Sequence, residues 1–172
     1  MVLMAENKMY FTQLEILWKV FSESPGAIAR IWGSDKYPLL KGITQFYELP
    51  QSILIVTEVM NLPHISKTCE GGIFGVHIHE GGACMGAAED PFADTRMHFN
   101  PEKCGHPYHA GDMPPLFEND GYALTVFVTD RFKLEDIIGR SVVIHRNRDD
   151  FTTQPSGNAG EKIACGVIEP IV

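Results

Sequence analysis

The chain has 172 residues, 44% of them apolar and 21% charged, with 16 Gly and 11 Pro. A chain of that size buries a core of its own and needs neither disulfide nor metal merely to fold. Its 14 Lys and Arg against 22 Asp and Glu leave a net charge of −8, and no apolar run reaches the length of a membrane span. Nucleic acid and membranes are therefore poor partners for it.

The opening Met1-Val2-Leu3-Met4-Ala5 meets Glu6 before a signal-peptide core can form. The expectation is a cytoplasmic protein if this start is native, and a periplasmic or secreted one if a signal has been removed. Thr12-Gln13-Leu14-Glu15 fits a capping box. Phe11, Leu14, Leu17 or Trp18, and Phe21 then recur at helical spacing until Pro25-Gly26 stops the pattern. Residues 1–24 read as an N-terminal extension, a short amphipathic helix packed on the domain or on a partner chain. Residues 25–172 read as the main domain.

From Ala27 onward the pattern is β. Runs rich in Val, Ile, Phe and Thr lie at 27–32, 42–49, 53–59, 72–79, 123–129, 141–145 and 163–168, separated by turn residues. The expected fold is all-β, a Greek-key barrel or sandwich of about eight antiparallel strands. Two long segments, 80–121 and 146–161, interrupt the strands, and loops of such length are usually functional.

Six of the seven His fall between His77 and His145. In the strand pattern His77 and His79 share one face while Val76 and Ile78 turn into the core. The same alternation turns Val142 and Ile144 inward and His145 outward. The first long loop holds His98, His106, His109 and Asp112, with Gly and Pro between them to fold ligands inward. Imidazole nitrogens with one carboxylate suit tetrahedral zinc. An open all-imidazole set on the strands suits copper. Seven candidates serve two sites of four if His98, using both ring nitrogens, joins His77, His79 and His145 as well as His106, His109 and Asp112.

These residues resemble the copper/zinc superoxide dismutase family. The likeness runs from Ala27 to the C-terminus through five motifs in order: His77-Ile78-His79-Glu80, His98-Phe99-Asn100-Pro101, His106 followed by His109-Ala110-Gly111-Asp112, the 138–145 strand ending in His145, and Gly157 to Gly166. The resemblance implies copper on His77, His79, His98 and His145, and zinc on His98, His106, His109 and Asp112. It implies Asp149 as the carboxylate linking both sites, a Cys84–Cys165 disulfide, and superoxide as substrate. Catalytic roles fall on His98, as proton carrier, and on Lys162, as the cation that draws in the anion.

Lys162 stands where the family's signature has an arginine, and Phe74 where many members have a histidine. The stretch 85–97 is longer than usual and 146–161 shorter. Residues 1–24 have no counterpart. Cys69 and Cys104 are left either to pair or to stay as thiols. A second copy of the chain and a copper-delivery protein are the partners to test for. Two rival readings stay open at this stage: a copper/zinc-binding relative with little or no turnover, and a zinc-only interaction module.

Overall fold

A computed structural model describes residues 12–64 and 72–171. The first element is the expected helix, α1 (Gln13–Ser22), with Thr12 as its N-cap. The Thr12 hydroxyl accepts from the Glu15 N–H at 3.3 Å, and the Glu15 carboxylate accepts from the Thr12 N–H at 2.6 Å. Among the described side chains of the helix, two residues outside the expected stripe pack on the sheet. Ile16 and Val20 lie on Tyr47, Leu49, Leu54 and Val56, while Trp18 is 65% exposed. Phe11 and the side chains of Leu14, Leu17 and Phe21 lie outside the described residues.

Nine strands follow among the described residues: β1 (Ala27–Gly33), β2 (Lys41–Leu49), β3 (Ser52–Met60), β4 (Ile73–Phe74), β5 (Val76–His79), β6 (Leu116–Phe117), β7 (Ala123–Thr129), β8 (Ser141–His145) and β9 (Lys162–Pro170). Seven form one curled sheet in the order β5-β8-β9-β1-β2-β3-β7, and β4 pairs with β6 in a second small sheet. Every pairing is antiparallel. Because β4 leads into β5 and β6 lies against β7, the small sheet fills the gap between the edges of the large one.

Two departures from the sequence pattern matter. The single strand expected over 72–79 is broken at Gly75, whose N–H donates to Asn147 O and whose carbonyl accepts from His145 N–H, both at 2.8 Å. The strand β6 and a short helix α2 (Leu134–Ile137) were not anticipated; two or four residues give too little periodicity to read. Ile31, Phe46, Ile55, Phe74, Ile78, Leu116, Ile137, Ile144 and Ile163 fill the interior. Phe74 is thus a core residue.

Alternation along β5 and β8 holds, with Val76, Ile78, Val142 and Ile144 in the core. The opposite face is not an open surface. Ile78 N–H donates to Gly111 O at 2.9 Å and Ile78 O accepts from Phe99 N–H at 2.8 Å, which lays the long loop alongside β5. His77 thereby sits opposite Asp112, and His79 opposite His98. The fold places the histidines in a closed layer between sheet and loop, with His77 0% and His79 2% exposed.

Candidate metal centre

Four imidazoles converge on one side of this layer: His77 and His79 from β5, His145 from the end of β8, and His98 from the loop. Their tautomers follow from their partners, since a carboxylate or carbonyl oxygen only accepts. His77 donates through Nε2–H to Asp149 Oδ2 at 2.8 Å, leaving Nδ1 bare. His79 donates through Nδ1–H to Arg96 O at 2.9 Å, and His145 through Nδ1–H to Gly160 O at 3.2 Å. Their bare Nε2 atoms face each other at 3.1 Å. Two facing lone pairs repel unless a cation lies between them.

The second group is His98, His106, His109 and Asp112, from the loop alone. His106 donates through Nε2–H to Asp149 Oδ1 at 2.8 Å, which leaves its Nδ1 directed at Asp112 Oδ2, 3.1 Å away but not aligned for a hydrogen bond. His98 Nδ1 lies 2.8 Å from Asp112 Oδ1 and 3.4 Å from His109 Nδ1. His98 Nε2 faces the other way, into the first group. Its two nitrogens therefore belong to two different clusters.

Asp149 holds one imidazole of each cluster and accepts from Phe151 N–H at 2.7 Å as well. Gly157 makes the space for this. Its φ is +67°, and a Cβ there would overlap Asp149 Oδ1 and come within 2.6 Å of His106 Nε2. Glycine is the residue that fits both the conformation and the close approach.

Three buried side-chain nitrogens have no hydrogen-bond partner among the described residues: His77 Nδ1, His98 Nε2 and His106 Nδ1. Buried polar atoms are nearly always satisfied, so orphans of this kind point to a ligand. Electrostatics agrees. Burial pushes the pKa of His77 and His79 well below the ordinary value and takes His145 down to about 4, with neighbouring imidazoles adding to the effect. Burial also lowers His109. These rings are neutral at pH 7, the form that binds metal. At Asp112 burial acts to raise the pKa, but the hydrogen bond from His98 and the surrounding imidazoles outweigh it, so the carboxylate stays ionised. Each cluster keeps its donor atoms within 4.8 Å of one another, the compass of one metal ion.

The chain matches the model of the copper/zinc superoxide dismutase family over residues 40–168. It is 32% identical over 162 residues to the copper/zinc superoxide dismutase of Legionella pneumophila, covering 90% of this chain and 93% of the relative. The match to one such enzyme of Aquifex aeolicus is 34% over 145 residues, covering 74% and 79%. The chain belongs to the copper/zinc superoxide dismutase family. Among solved structures, the copper/zinc superoxide dismutase of Brucella abortus superposes with a TM-score of 0.69 at 26% identity, covering 83% of this chain and 99% of that one. A double mutant of a SOD-like protein from Bacillus subtilis gives 0.67 at 28%, covering 81% and 95%. Family membership carries with it the oxidoreductase class and the use of copper and zinc.

The remaining expectations fall out unequally. Cys84 and Cys165 are bonded. Cys104 is exposed, and the Cys69–Cys104 pairing falls outside the described residues. Lys162 lies across the β8–β9 register from His145. It is not a free charge, because Nζ donates to Asp90 Oδ2 and to Phe92 O, both at 3.1 Å. Arg131, just after β7, was not anticipated. Its Nη1 reaches the carbonyls of Pro107, His109 and Asp112 at 3.4, 3.2 and 3.4 Å and so holds the second cluster's loop against the barrel. Nothing in the local sequence marks it, since its acceptors are backbone atoms about twenty residues away.

Proposed function

We propose that this chain disproportionates superoxide to oxygen and hydrogen peroxide at a copper ion on His77, His79, His98 and His145, joined through His98 to a zinc ion on His98, His106, His109 and Asp112. The observation that supports it above all is the pair of donor sets sharing one imidazole, with the bare nitrogens of His77, His98 and His106 buried and unpartnered. Copper in an all-imidazole shell supplies one-electron acceptance and donation, which lets two superoxide ions and two protons become one oxygen and one peroxide. His98 Nε2 is where the chain can hold a proton and release it to the peroxide. Asp149 fixes the tautomers of His77 and His106, and the Arg96 and Gly160 carbonyls fix those of His79 and His145. Asp112 is the one anionic side chain in the zinc set, and Arg131 supports the loop that presents it.

The purified chain is expected to take up one copper and one zinc, with dismutase activity proportional to copper occupancy. Full copper occupancy without activity would instead favour a metal-handling relative, a reading that the complete donor set argues against. Asp112→Ala removes a bond and a charge from the zinc set and none from the copper set. It should lose zinc while keeping copper, as read by metal analysis after dialysis, and unchanged zinc content would disprove its role.

The disulfide supports an oxidising compartment, periplasmic or secreted, over the cytoplasm. Among the described residues no helix is long and apolar enough to cross a membrane. A homodimer and a copper-delivery partner belong to the same proposal; sedimentation and copper-transfer assays test them.

A further inference from the structure

The Lys162 ammonium is only 15% exposed on its side chain, and Asp90, at 46%, is its ionic partner. The pairing is built into the loop. Asp90 Oδ1 accepts from Phe92 N–H at 3.2 Å, and Asp90 O from Ala93 N–H at 3.1 Å. Phe92 is packed with Val143, Cys165 and Cys84, so the disulfide and the β8–β9 surface fix where the carboxylate stands. On the other side Lys162 is the register partner of His145 across β8 and β9. An anion approaching His145 therefore meets a cation already paired with a carboxylate.

We infer that Asp90 is a positioning residue that holds the Lys162 ammonium beside His145 and cancels most of its charge, so that the Asp90–Lys162 pair sets how strongly this metal layer attracts small anions. The inference rests on copper being held at His145, as proposed above. It gives the two residues opposite signs. Loss of Lys162 uncovers a carboxylate and repels anions. Loss of the Asp90 charge uncovers an ammonium and attracts them. Loss of both leaves a neutral surface again.

The test uses the copper- and zinc-loaded full chain and azide as the probe, with its affinity read from the cupric absorption band, alongside the ionic-strength dependence of dismutation. Asp90→Asn keeps the shape and an acceptor oxygen. It should tighten azide about three- to fivefold and steepen the fall of rate with salt. Lys162→Met should weaken azide about as much, and the double variant should return to near the wild-type value. Asp90→Glu should resemble wild type. Thermal melts check that each variant is folded; Asp90 is half exposed, so its replacement leaves the core intact. If both single variants shift azide affinity in the same direction, or Asp90→Asn leaves it unchanged, the inference fails while the dismutase reading stands. A wild-type chain that takes up copper and binds azide but does not dismutate superoxide overturns the dismutase reading alone. A chain that takes up no copper overturns both.

Discussion

Opening the Cys84–Cys165 bridge should lower the stability of the metal-stripped protein by about 4 to 5 kcal/mol. The bridge closes a loop of 81 residues. Constraining a loop of that size removes roughly this much free energy from the unfolded chain. For a domain of this length the loss corresponds to a fall in Tm of about 10–15 °C. Replacing both cysteines by Ser avoids leaving a stray thiol, and thermal melts of the two proteins read the difference. The effect should extend to the metal layer. Cys84 and Cys165 pack with Phe92 and Val143, anchoring the segment that leads to His98. The variant should also release zinc more readily. A Tm within a degree or two of the parent would show that the bridge does not limit the unfolded chain in this way.

Asp149→Ala should weaken both metal sites together, each by about 10- to 100-fold, because the carboxylate fixes one imidazole in each. Asp149→Asn separates the two. The side-chain oxygen must stay at the Oδ1 position, where it accepts from Phe151 N–H and His106 Nε2–H. The new amide N–H then faces His77 Nε2, in place of the oxygen now 2.8 Å away. A donor there makes Nε2 an acceptor and moves the ring proton of His77 to Nδ1, the nitrogen turned toward the copper set. Asp149→Asn should therefore lose copper and retain zinc, read by metal analysis after limited dialysis. Equal loss of both metals, or loss of zinc first, would show that the assigned tautomers are wrong.

Local pattern carried much of the fold. Period-two alternation placed Val76, Ile78, Val142 and Ile144 in the core, and the capping box placed the start of α1, because both depend on neighbours within a few residues. The seven ligand candidates were legible for a similar reason: imidazole and carboxylate are the donor groups the chemistry needs, and they crowd into three short segments, 77–79, 98–112 and the strand end at His145. The tertiary structure alone decided the rest. The imidazole pair on β5 is buried because a loop about twenty to thirty-five residues further on lies against that strand, which alternation cannot report. Helix α1 uses Ile16 and Val20 against the sheet and leaves Trp18 in water, since the face that packs is set by where Tyr47 and Leu54 stand. Lys162 read as a free cation; Asp90, seventy-two positions earlier, makes it half of an ion pair. Which nitrogen of each histidine is bare also comes from partners far along the chain, Asp149 for His77 and Gly160 for His145. Residue type and spacing thus determined which groups could bind metal. Contacts between distant segments decided which atoms are free to do so, because a ring proton goes to whichever nitrogen finds an acceptor in the folded chain.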